Sequence, residues 1–165
     1  LLHPQSRGHV ELRSADPADF PRITLNNFAE SADLRTARDG IRIVREVYAT
    51  QPQAGLIDAE ILPGAALQSD AELDAHIRAT AGVTQHPVGT CTMGTGSMSV
   101  VDPELRVHGI AGLRVVDASI MPTVPGGNTN APTIMVAEKA ADMIRGLAPL
   151  PPEDPRKETQ HADAL

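Results

Sequence analysis

The sequence predicts an α+β fold from three observations: an alternating segment near its start, two amphipathic or capped helices, and a strand–turn–helix unit between Leu105 and Gly146. Residues 6–14 place Val10 and Leu12 on one face and His9, Glu11 and Arg13 on the other, the period of a strand. Asp16-Pro17 ends that strand, and a second short one is expected within Pro21–Leu25. A helix follows, capped by Ser31, with Asp33 in its first turn and a stripe of Leu34, Ala37, Ile41, Val44 and Tyr48. Arg35, Arg38, Arg42 and Arg45 read as its solvated side. Gly40 within it costs about 1 kcal/mol of propensity. Pro52–Gly64 reads as a connector with a short strand around Ile61-Leu62. Ser69-Asp70-Ala71-Glu72 is a capping box opening a second helix through about Thr80, with Gly82 as its stop.

The last unit is the most informative. Leu113-Arg114-Val115-Val116 is apolar and β-branched, and Asp117, Ala118 and Ser119 end it. Pro122, Pro125, Gly126 and Gly127 then forbid regular structure. A helix starts at Thr129 or Asn130 as N-cap, with Pro132 in its first turn, where a missing N–H costs nothing. Its inward stripe is Ile134, Ala137, Ala141 and Ile144, and Arg145 and Gly146 are its stop signals. Asn128, Thr129 and Asn130 therefore lie on a Gly-rich loop at a helix N-terminus, where backbone N–H groups and the helix dipole favour negative charge.

Composition sets limits on function. The 165 residues suffice for one ordinary domain. Phe20, Phe28 and Tyr48 are the only aromatic residues, so any core is aliphatic and few rings are available to stack bases. A formal charge of −7 offers no footprint for nucleic acid. No stretch approaches the roughly 20 apolar residues that span a bilayer. With Cys91 as the single cysteine there is no internal disulfide, and a reducing, cytoplasmic setting is the default expectation. Residues 150–165 are Pro-rich and charged and are expected to form a disordered tail.

Residues 84–100, rich in Gly, Ser and Thr, form a long loop of the kind that carries function. Of six histidines, His3, His9, His76 and His161 read as exposed polar residues. His86 differs, because it stands in this loop before Pro87, where the backbone is extended and restricted. An imidazole suits general-base work at neutral pH, although a loop histidine also serves as a structural hydrogen-bonder. No ligand spacing fits zinc, and no metal is expected. Cys91 with His86 lacks a nucleophile signature, Ser97 and Ser99 lie outside any G-x-S-x-G elbow, and Gly94-Thr95-Gly96 lacks the rest of a dinucleotide fingerprint.

Three linked stretches, HPVGTCTMG (86–94), VDPELRVHGIAGLRVVDASIMP (101–122) and NTNAPTIMVAEKAADMI (128–144), closely resemble the C-terminal region of the glucose-methanol-choline (GMC) oxidoreductases, FAD-dependent alcohol oxidases and dehydrogenases. SRGHVELRSADP, from Ser6, resembles the start of that region. The bacterial choline and alcohol dehydrogenases look nearest. The resemblance implies that residues 1–112 are an antiparallel-sheet portion of the substrate domain, carrying the active-site loop. Residues 113–149 would supply a strand and a helix completing a Rossmann-like FAD-binding domain. His86 then stands at the active-site base, and Asn128 at the second catalytic position, holding the substrate oxygen. Asp117 and Ala118 match the strand end at the cofactor's pyrophosphate, and Asn128, Thr129, Asn130 and Pro132 the loop and helix start beside the flavin. The implied reaction oxidises a small-molecule alcohol to a carbonyl by hydride transfer to flavin N5.

The family's G-x-G-x-x-G fingerprint does not occur in this chain. The expected partner is thus an N-terminal FAD-binding polypeptide, the chain being a fragment, a nicked product or one subunit. Alone it is expected to bind no FAD and to leave an apolar face around Ile134, Ala137 and Ala141 uncovered. A hydroxynitrile-lyase-type activity and a non-catalytic fragment are the competing readings.

Overall fold

A computed structural model describes residues 1–152, so the tail expected from residue 150 lies mostly outside the described residues. The N-terminal hairpin pairs β1 (His9–Glu11) with β2 (Arg22–Thr24) antiparallel, in the register His9↔Thr24, Val10↔Ile23 and Glu11↔Arg22. Gly8 admits the approach, since a Cβ there would clash with the Thr24 and Leu25 carbonyl oxygens. The strand is shorter than its alternation predicts, and its Val10/Leu12 face is uncovered: Val10 is 48% and Leu12 88% exposed. Two strands alone present no second layer, so alternation here marks a face without filling it. The strand expected at Ile61-Leu62 is absent; both side chains are exposed in a turn.

Helix α1 (Ser31–Tyr48) reaches Tyr48, the last residue of its predicted stripe, but starts one residue earlier than a Ser31 cap predicts. Glu30 is the N-cap residue and makes no side-chain cap bond. Its N–H donates instead to the Ser6 hydroxyl at 3.1 Å, because residues 5–6 cross the helix start. Asp33 is buried under that crossing and accepts the Gln5 and Ser6 N–H groups at 2.8 and 2.7 Å. Leu34 is buried, but Val44 and Tyr48, assigned to the inward stripe, are half exposed.

The arginine face of α1 is also corrected by the structure. Helix α2 (Asp70–Thr80), opened by the predicted Ser69–Glu72 capping box, contacts α1 and buries Leu73 and Ile77. It brings Asp74 and Asp70 to Arg38 and Arg42, while Glu60 takes Arg45. Only Arg35 of the four is left on the open side, because the others find carboxylates far away in sequence. Helix α2 ends at Ala81 in an extended conformation, one residue before the predicted Gly82 stop.

The C-terminal portion packs around a small core of Val101, Leu105, Ile120 and Ala140, with Met93, Val107, Val115, Val116 and Val136 against it. Residues 113–116 form no regular strand. They make a single bridge, Arg106↔Arg114, with Val107 N–H to Leu113 C=O and Val115 N–H to Leu105 C=O. Leu105, whose carbonyl accepts one of these bonds, is held at φ +65°, outside the extended region that a regular strand uses. Helix α3 (Asn130–Arg145) closes at Gly146 in the left-handed conformation, φ +69°, as its sequence predicts. Its packed face runs through Thr133, Val136 and Ala140, about one residue round from the predicted stripe. Ile134 and Ile144 are more than half exposed, and Ala137 and Ala141 are exposed with them. The helix thus carries two apolar faces and covers one.

Candidate active site

The loop carrying His86 is stitched to the segment leading into α3. Cys91 N–H donates to Ser119 C=O at 3.0 Å and Met93 N–H to Ile120 C=O at 2.8 Å. Thr92 ties the loop internally, its hydroxyl donating to Gly89 C=O and its carbonyl accepting Val100 N–H. Gly89 sits at φ +91°, where an L side chain is strained. On the facing segment, Asp117 is exposed and accepts Ser119 N–H at 2.7 Å, starting a 3₁₀ turn over Ala118–Ile120. Asp117 and Ala118, expected near a cofactor pyrophosphate, therefore lie directly against the His86 loop's anchor.

His86 follows Gln85, which is held at φ +61°, and precedes Pro87. A non-glycine residue in that region stores strain and persists only where its surroundings fix it. The His86 ring is half-buried, and its Nδ1 lies 2.9 Å from the Thr129 hydroxyl. Among the described residues Nε2 has no protein partner. Thr129 is 8% exposed and occupies the N-cap position of α3, yet makes no cap bond with its side chain. That hydroxyl is spent on His86. Its carbonyl accepts both the N–H and the hydroxyl of Thr133, at 3.0 and 2.6 Å.

The structure thus brings His86 to the residue beside Asn128. Asn128 and Asn130 are exposed, flanking Thr129, and Pro132 is half-buried in the first turn of α3. With no side-chain cap, the Asn130 and Ala131 N–H groups at this helix end have no acceptor among the described residues. They and the helix dipole form an electropositive rim beside the histidine. The His86–Thr129 contact was not legible from spacing, because 43 positions separate the pair. His3 is exposed, as its reading predicts, with its ring 3.2 Å from where a Cβ at Gly126 would stand, in the turn before Asn128.

Other candidates separate from this cluster. Cys91 is a half-buried free thiol with its N–H in the anchor. No group of three or more metal-binding side chains exists among the described residues. A cavity of about 300 Å³ bounded by Met135, Met143, Leu147 and Leu150 lies against the later turns of α3 and touches none of the site residues.

The family model for GMC oxidoreductases, in its C-terminal part, matches residues 4–137. This chain belongs to the GMC oxidoreductase family. It is 57% identical over 145 residues to the oxygen-dependent choline dehydrogenase of Paraburkholderia phymatum, covering 88% of this chain and 25% of that protein. It is 53% identical over 149 residues to the protein of that name from Pseudomonas fluorescens, covering 88% of this chain and 26% of that one. Among solved structures, pyridoxine 4-oxidase from Mesorbium loti superposes with a TM-score of 0.82 at 32% identity, over 90% of this chain and 29% of that one. An FAD-dependent oxidoreductase from Chaetomium thermophilum gives 0.83 at 33% identity, over 89% and 26%. The chain spans about a quarter of the length of the GMC relatives it matches. Among the described residues, no helix is long and apolar enough to cross a membrane.

Proposed function

We propose that this chain is the C-terminal part of an FAD-dependent alcohol oxidoreductase, contributing its base and its substrate-oxygen contact. The observation that carries the reading is the seating of His86 against Thr129 at the uncapped N-terminus of α3. In this reading Nε2 of His86 takes the proton of the substrate hydroxyl, which raises the electron density on its oxygen. The Asn128 amide holds that oxygen without competing for the proton.

The residues present fit a flavin ring. Unpartnered N–H groups and the positive helix end suit a ring edge that gains negative charge on reduction. Asn128, Thr129, Asn130 and Pro132 would border the ring, and Asp117 and Ala118 the pyrophosphate. Bound FAD supplies the acceptor for the hydride that leaves the alcohol carbon. The remaining contacts, including a Gly-rich nucleotide fingerprint, would come from an N-terminal FAD-binding polypeptide, with which residues 113–149 would complete a Rossmann-like domain. The 25–26% coverage of relatives and the uncovered second face of α3 support that division.

The test is to co-express this chain with that polypeptide and screen alcohols anaerobically for flavin bleaching. Choline is the first to try, given the names of the relatives. Bleaching by an alcohol supports the reading. Cyanohydrin cleavage without bleaching, or a flavin-loaded complex inert to every alcohol, overturns it.

A further inference from the structure

We infer that Thr129 is the positioning residue of His86, setting both the ring's orientation and the nitrogen at which its proton sits. The inference rests on the proposed role of His86 as base. A neutral imidazole has one N–H and one lone pair, and it is a base only at the nitrogen with the lone pair. The Thr129 hydroxyl lies 2.9 Å from Nδ1, so that nitrogen is occupied by protein and Nε2 is left open. A base working through Nε2 therefore needs its resting proton on Nδ1, donated to Thr129 Oγ1.

Thr129 is built to receive it. Its side chain is almost fully buried, and its carbonyl is doubly held by Thr133 at the head of a 16-residue helix. The hydroxyl is also withdrawn from helix capping, the use normally made of a threonine at this position. When Nε2 takes a proton, the ring becomes cationic and the Nδ1–H to Thr129 bond becomes charge-assisted. Thr129 thus holds the ring before proton transfer and favours the protonated ring after it.

Thr129→Val keeps the shape and removes the acceptor; Thr129→Ser keeps the acceptor and guards against a folding artefact. In the full 165-residue chain labelled with ¹⁵N-histidine, long-range ¹H–¹⁵N spectra above the histidine titration should show His86 protonated at Nδ1. Thr129→Val should move the proton towards Nε2, and Thr129→Ser should restore it. In the flavin-loaded complex, Thr129→Val should lower kcat about 10–100-fold, the range found for partners that orient a metal-bound histidine, with KM little changed. The rise of kcat/KM with pH should move to lower pH, because an acceptor of the cation's proton has gone. A wild-type ring protonated at Nε2, a Thr129→Val ring and pH profile like wild type, or no rescue by serine each overturns the inference. Full turnover in His86→Ala with the wild-type ring still protonated at Nδ1 overturns the base instead, and leaves the orientation standing.

Discussion

The carboxylate of Asp33 accepts both the N–H and the hydroxyl of Ser6, 27 residues earlier, and so pins the N-terminal segment across the start of α1. Burial pushes this carboxyl up, but hydrogen bonds from Gln5 and Ser6 and the nearby Arg7 charge outweigh it, and its pKa lies below the ordinary 3.8. The charged form is therefore favoured by folding. Its contribution is complete above pH 3.8 and fades as pH falls through the lower folded value. Urea unfolding across that range should show Asp33→Asn with a flatter acid limb than wild type. Asp33→Ala should cost roughly 2–3 kcal/mol at neutral pH, the size of losing hydrogen bonds to a buried charge. Parallel pH curves for wild type and Asp33→Asn would contradict this account.

Arg38 and Asp74 form the most enclosed ion pair between α1 and α2, with side chains 14% and 27% exposed. Asp74→Ala leaves a largely buried guanidinium whose Nε already lacks a partner. It should destabilise the chain by about 1–3 kcal/mol. Asp70→Ala, at a 60% exposed side chain, should cost less. Chemical unfolding of the two variants side by side checks the order, and equal losses would mean burial does not govern this interface.

His86→Ala in the flavin-loaded complex should slow anaerobic bleaching by about 10²–10⁴-fold, the usual range for a general base. The flavin spectrum before substrate should be unaltered, since the histidine contacts Thr129 rather than holding the loop together. An unchanged bleaching rate removes His86 from its proposed role.

Ile134 lies on the uncovered face of α3, 53% exposed. Ile134→Glu should change the chain's own stability by no more than about 0.5 kcal/mol, the usual limit for an exposed site. It should nevertheless abolish co-purification with the proposed FAD-binding polypeptide. Undiminished co-purification would show that this face is not where the two meet.

Much of the secondary structure was legible because its signals are local. The Ser69–Glu72 box and the Arg145-Gly146 stop each act through backbone groups within a turn of the residue concerned. The family resemblance likewise rested on contiguous stretches, and it singled out the His86 loop and residues 117–132 together. Faces were less legible. Apolar spacing marks the side of α3 through Ile134, Ala137 and Ala141, which this chain alone leaves uncovered as expected, but it does not show the second side, through Val136 and Ala140, that the chain covers by itself.

What the sequence determined by itself, then, is which segments are helical, how α2 opens and how α3 closes, that His86 stands in a restricted loop, and that the loop at Asn128–Asn130 opens a helix. Only the tertiary structure decided the partnerships: Arg38 with Asp74, Asp33 with Ser6, and His86 with Thr129. The physical reason is range. The Ser69–Glu72 box and the Gly146 stop are settled within four residues, whereas a buried charge or a ring nitrogen is satisfied by whatever the packed chain brings within about 3 Å, and no spacing along the sequence encodes that meeting.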